Sequence, residues 1–237
     1  MTRSRFVYGL PIVALAVLLT ACTPGGDPPP PGSTEPASAA PGDSAAPSPS
    51  PEGRPERDAL ALGPDGMGTL VFGVAPPTAA DSAMIVLEPG YCVEAVMGYD
   101  TGLSATDPAA ALWVPIPPYR DGVFGDFGVH VEAGVLMRID LYDGTIPTTE
   151  GIRIGDTRAA VEAAYPGATV VEEYLTDIYV VTGPAGSLQI EVARQPDDMA
   201  YWPATEVDRV SYIHAAMSGF APFSVAASEN IAGACPH

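Results

Sequence analysis

Between residues 23 and 57 the chain has almost nothing to bury. No apolar residue in that stretch is larger than alanine or proline, and eleven of the 27 prolines fall there, four of them consecutive at 28–31. A segment without hydrophobic side chains cannot offset the entropy of its own ordering. Its Pro, Ser, Ala and Gly content predicts a disordered, partly polyproline spacer. Such a spacer would reach ~35 Å as a flexible coil and ~110 Å as a full polyproline helix. The fold of this 237-residue chain must therefore be built from residues 58–237, enough for one domain with a sizeable core.

Ahead of the spacer, Arg3 and Arg5 give a positive start, and an apolar run over 6–19 follows, interrupted by Gly9 and Pro11. The run is shorter than the ~20 residues that span a bilayer, so it predicts a secretory signal peptide at 1–21 rather than a membrane-spanning anchor. It ends in Leu19-Thr20-Ala21-Cys22, which resembles the lipobox of bacterial lipoproteins. The resemblance implies cleavage before Cys22, lipidation of its sulfur with a diacylglycerol carrying palmitate-like chains, and a lipidated tether at 22–57. The alternative is a plain signal peptide in which Cys22 is a bystander. Two or more acyl chains, at ~0.8 kcal/mol per buried methylene, hold a protein durably at a membrane. Removing Arg3 and Arg5 takes the formal charge from −19 to −21. Anionic headgroups repel such a surface, so the acyl chains must do the holding. The expected location is the cell membrane, lipid-anchored, on the extracytoplasmic side.

All ten basic residues are arginines. Without lysine there is no Schiff base, no Walker-type phosphate loop and no Ser-x-x-Lys acylation site. With 29 acidic residues against those ten, the chain also lacks the positive field that nucleic-acid binding needs.

Within 58–237 the strands dominate. Phe127, Val129 and Val131 alternate with Gly128, His130 and Glu132, and Val135, Met137, Ile139 and Leu141 share a face. With Ala133-Gly134 between them, the two runs predict a hairpin. Asp156 is a candidate N-cap for a helix over 157–165, which Pro166-Gly167 ends. Four strands are expected after it, at 168–174, 178–182, 188–193 and 206–214, with Gly183-Pro-Ala-Gly186 as a turn. Leu188, Ile190 and Val192 point one way, Gln189 and Glu191 the other. The fold class is therefore α+β: a mainly antiparallel sheet with one or two short helices packed on it. Cys92 and Cys235 are the two cysteines of this region. Outside the cytosol they predict a disulfide, worth about 5 kcal/mol in the loop-entropy model, that ties the C-terminal segment to the first half. Free reactive thiols are the alternative.

A glycine, a short apolar stretch, a second glycine, a helix and a meander describe both halves, with a short helix expected at 79–84 in the first. Two repeats, 58–147 and 148–237, are a further expectation. Gly151, Ile152, Ile154, Gly155, Asp156, Thr157, Val161, Tyr165 and Pro166 resemble a motif of actinobacterial secreted lipoproteins of unassigned function. More distantly, the scheme is similar to the tandem repeats of the beta-lactamase-inhibitor-protein-like fold and of small outer-membrane assembly lipoproteins. The resemblance implies a non-catalytic binding or scaffold role, because those folds present a sheet face to partners.

No nucleophile elbow, His-Glu-x-x-His helix, EF-hand loop, Cys-x-x-Cys pair or dinucleotide fingerprint occurs. No catalytic residue, metal or cofactor is assigned. His130 reads as a solvated surface residue beside Glu132, and His214 as a core-edge residue. Adjacent Glu172 and Glu173 point to opposite faces of a regular strand. Asp197-Asp198 reads as loop solvation, with a weak calcium site as the alternative. Both tryptophans lie in Pro-bounded segments, and Trp113, Tyr119, Arg120, Tyr201 and Trp202 are the candidate partner-binding residues, the types that anchor interfaces or stack on sugars. The functional expectation is a tethered lipoprotein whose domain binds a protein or a cell-wall polymer. A hydrolase with a scattered active site is the alternative.

Overall fold

A strand with two chemically different faces settles where one of them can be buried, and that rule arranges most of this molecule. The computed structural model describes residues 53–228 and 230–236. The signal segment, Cys22 and the tether up to residue 52 lie outside the described residues. In chain order come β1 (Leu62–Gly63), β2 (Gly66–Met67), β3 (Leu70–Val71), β4 (Ile85–Glu88), α1 (Glu94–Met97), β5 (Leu112–Pro115), β6 (Phe127–Glu132), β7 (Val135–Leu141), α2 (Arg158–Ala164), β8 (Thr169–Glu172), β9 (Thr176–Thr182), β10 (Gly186–Ala193) and β11 (Val210–Met217). Strands far outweigh helices.

The central sheet has six strands in the order β6-β7-β11-β10-β9-β8, and every neighbouring pair is antiparallel. The second half thus folds as the meander β8-β9-β10-β11, and the hairpin β6-β7 joins it beside β11. β1, β2 and β3 form a small antiparallel sheet, and β4 pairs with β5 as a ribbon. The first half accordingly contributes to three sheets, and its segment 79–84 is turn rather than helix, with Pro76 and Pro77 just ahead of it. Proline supplies no N–H donor, which disfavours a helix there.

The β6-β7 turn is as expected, with Ala133 at φ 50° and Gly134 at φ 80°, the left-handed pair that a tight two-residue hairpin requires. The register slips between His130 and Val131, so Val131 faces Leu136 and His130 faces Arg138. That bulge corrects the expected alternation. Leu136, not Met137, is fully buried with Ile139 and Leu141, because an extra residue flips the faces beyond it. The helix also starts one residue later than its sequence signal. Thr157 is the N-cap, its hydroxyl accepting from the Ala160 N–H at 3.3 Å, while Asp156 accepts from the Arg153 N–H at 2.8 Å.

One sheet face carries Phe127, Val129, Ile139, Leu141, Ile213, Ala215, Leu188, Ile190 and Val192 into a single core with Val161 and Tyr165 of the helical segment, Leu62, Met67 and Leu70 from β1–β3, and Phe72 just after β3. Arg158 fastens α2 to the sheet through Asp177 and Asp208, both at 2.8 Å. A second, small cluster surrounds the disulfide between Cys92 and Cys235, with Tyr91, Ala110 and Val114. Residues 54–57 already engage this domain, although their composition matches the tether. The Arg54 N–H donates to the Asp81 carbonyl at 2.6 Å, and Arg57 pairs with Asp126.

Candidate functional site

The expected aromatic residues are dispersed by the fold. Trp113 sits on β5 opposite Leu87, half-buried against the main core. Tyr119 is fully buried and its hydroxyl donates to the Pro55 carbonyl. Arg120 donates to Glu88 at 2.7 Å and lies 6.0 Å from the Tyr91 ring. These three are spent on internal contacts around β4, β5 and the start of the domain.

Tyr201 and Trp202 have a different setting. They follow β10 in a loop that Pro196 and Pro203 keep out of the sheet. The Trp202 indole N–H donates to the Leu175 carbonyl at 2.7 Å, and its backbone N–H donates to Gln195 Oε1 at 3.1 Å. With both donors engaged, the indole is fixed rather than free to turn. Tyr201 stands edge-on to it, with ring centroids 5.1 Å apart, and is 44 % exposed. Trp202 lines two clefts. The open one, about 600 Å³, includes Gln195, Asp197, Asp198, Met199 and Val207. The more enclosed one, about 270 Å³, includes Ile154, Glu206, Arg209, Ser211 and Ile231.

The acidic side chains are engaged separately. Asp140 is buried in a two-pronged pair with Arg138, both contacts at 2.6 Å, while Asp143 caps its own turn by accepting from the Thr145 N–H at 2.7 Å. Glu172 pairs with Arg194 at 2.9 Å, and the Tyr174 hydroxyl donates to Asp198. Among the described residues no group of three or more His, Cys, Asp or Glu side chains is placed to hold a metal ion.

The histidines also differ from one another. His130 is exposed, 3.9 Å from Glu132. His214, expected at the edge of the core, is fully buried, and it belongs to a polar cluster on the side of the sheet to which Gln189 and Glu191 point. On the second face of the sheet, Arg138 and Asp140 of β7, Tyr212 and His214 of β11, and Gln189 and Glu191 of β10 lie side by side. Residues 218–228 and 230–236 cover them. Gln189 Oε1 accepts from the Phe223 N–H at 3.2 Å, which orients its amide. His214 Nε2, 3.0 Å from the same oxygen, must then be the protonated nitrogen. Its Nδ1 lone pair is left without a partner, 3.6 Å from Glu191. Burial pushes His214 down to about 4, Asp140 partly opposing it. Burial pushes Glu191 up, against the pull of Ser224 and the Val225 and Ala226 amides. Burial and the Asp140 charge likewise raise the Tyr212 phenol. The signal that could have revealed this cluster was in the sequence: polar residues at alternate positions of three neighbouring strands, and a cysteine that draws residues 218–236 back across them.

No protein-family model matches this chain, nor does any curated protein or solved structure.

Proposed function

We propose that the protein is a lipid-anchored extracytoplasmic binding protein: Cys22 carries the acyl anchor, residues 23–52 span the gap, and the domain engages a protein or a wall polymer through the Tyr201–Trp202 loop. The observation that carries this reading is Trp202, pinned at both N–H groups and fronting two clefts. A rigid aromatic side chain beside exposed carboxylates provides apolar contact area at little entropic cost. The likeness of residues 151–166 to a motif of secreted lipoproteins supports the same location and a non-catalytic module. The hydrolase alternative draws no support from the histidines. His214 is closed off from any substrate, and exposed His130 has only Glu132 nearby.

Two measurements test the reading separately. Metabolic palmitate labelling should mark the wild type and not Cys22→Ser, and the unlabelled variant should move from the membrane to the soluble fraction; an unmarked wild type removes the anchor. Crosslinking in intact cells should lose its partner with Trp202→Ala and keep it with Trp113→Ala. Identical crosslinks from both variants remove the aromatic contact surface.

A further inference from the structure

The described residues of the segment 218–236 cross the second face of the sheet without joining it as a strand. Its first residue is held by the main chain, the Ser218 N–H donating to the Ala185 carbonyl at 2.9 Å; beyond it, among the described residues, six hydrogen bonds from five side chains of the sheet region fasten its backbone. Gln189 Oε1 accepts from the Phe223 N–H at 3.2 Å, and the Glu191 carboxylate accepts from the Val225 N–H at 2.7 Å and the Ala226 N–H at 3.2 Å. Asp140 accepts from the Ala232 N–H at 2.8 Å. In the other direction, Arg138 donates to the Asn230 carbonyl and the Tyr142 hydroxyl to the Ala232 carbonyl. Charged and amide side chains that bond main-chain groups in this way recognise an extended peptide whatever its sequence.

Three adjacent side chains of the segment add selectivity. The Phe223 ring lies 5.0 Å from the Arg138 guanidinium and 5.0 Å from the His214 ring. The Ser224 hydroxyl donates to Glu191 at 2.6 Å, and Val225 is buried. At the far end the Cys92–Cys235 disulfide closes the arrangement. At Gly128 an added methyl group would stand 2.0 Å from the Ala232 carbonyl oxygen, so even the sheet edge is cut to let the segment pass.

We infer that the polar face formed by Arg138, Asp140, Tyr142, Gln189 and Glu191 is a binding site for an extended peptide with an aromatic–hydroxyl–branched apolar pattern, which residues 218–236 occupy in cis under the Cys92–Cys235 clip. The site is separate from the Trp202 loop and stands whether or not that loop binds anything. Burying two carboxylates, a guanidinium and an imidazole is expensive unless each finds partners. The segment supplies them, and a second peptide of the same pattern supplies the same set. Opening the clip with a dithiol reductant, which is oxidised to its own disulfide while Cys92 and Cys235 take up two electrons and two protons as free thiols, converts a locked occupant into one that exchanges, because the bond no longer holds the segment's far end at high effective concentration.

The test uses the full chain, oxidised, reduced, and as Cys92→Ser/Cys235→Ser. In hydrogen exchange, reduction should speed the Val225, Ala226 and Ala232 amides at least tenfold while Ile190 and Ile213 stay protected. A fluorescent peptide of residues 220–234 should bind the reduced and double-serine chains saturably, and the oxidised chain at least tenfold more weakly. The same peptide with Phe223→Ala or Ser224→Ala should lose at least tenfold in affinity. The segment in cis competes equally with every peptide, so these ratios are unaffected by it. The proposal is overturned if reduction leaves those three amides protected, or exposes the sheet amides together with them, or frees a face that ignores the peptide or binds its alanine forms equally well.

Discussion

His214 and Glu191, 3.6 Å apart, are pushed in opposite directions along the pH axis by the same burial. An unfolded chain would protonate its histidine near 6.5, whereas the folded protein waits until about 4. Between those values the unfolded state binds the extra proton, so His214 makes the fold less stable as the pH falls. Glu191 acts in the other sense. Its raised value lets the folded state take up a proton before the unfolded one, which adds stability as the pH falls toward 4.5. The two partly cancel, so the comparison must be made between variants. We expect the unfolding free energy of the wild type, measured in urea, to fall more between pH 7 and pH 5 than that of His214→Asn, by at most about 2 kcal/mol at 1.36 kcal/mol per pH unit. Equal slopes for the two proteins would show that the imidazole is not held neutral. Gly128→Ala belongs to the same scale. Its new methyl would collide with the Ala232 carbonyl and the Tyr142 hydroxyl, and overpacking of that kind costs about 1–3 kcal/mol. Thermal unfolding should show the loss, and a melting temperature unchanged from wild type would mean that the segment does not lie against β6.

Helix α2 has seven residues and depends on its ends and its buried side. Thr157→Ala removes the hydroxyl that accepts the Ala160 N–H and should cost about 1 kcal/mol in chemical denaturation; Asp156→Ala, which leaves that cap intact, serves as the comparison. Elements like this one were largely legible from the chain, because their signals are local. Ala133-Gly134 marks a hairpin, Pro166-Gly167 stops a helix, and Leu188, Ile190 and Val192 name a buried face. Legibility failed where distant residues decide the outcome. The bulge that buries Leu136 arises from pairing with β6, and nothing in residues 135–141 announces it. Tyr119 reads as a contact aromatic until the Pro55 carbonyl is placed beside its hydroxyl. Gln189, Glu191 and His214 read as solvent-facing or edge residues, because residues 218–236 have no periodicity to show that they form a cover. The Trp202 loop could be foreseen from its prolines, but not its two clefts, since Ile154 and Ile231 come from remote parts of the chain.

For the molecule as a whole, the net charge bears on the proposed anchor. The chain at −19 has no electrostatic means of settling on an acidic bilayer, and loss of Arg3 and Arg5 with the proposed signal peptide would take it to −21. Cys22→Ser protein should therefore fail to sediment with phosphatidylglycerol vesicles at low and high salt alike. Sedimentation that disappears as salt rises would reveal a basic patch and contradict this account. The disulfide sets a mechanical property as well. Residues 54–57 join the domain at one end, and Cys92 and Cys235 close a covalent loop 143 residues in sequence separation. If the chain is pulled at residue 53 while something grips Cys235, only the stretch from residue 53 to residue 92 can be drawn out, about 140 Å of contour at about 3.5 Å per residue. The six-stranded sheet lies inside the loop and bears no tension along its backbone, so a force that strips the outer strands would leave it unstretched.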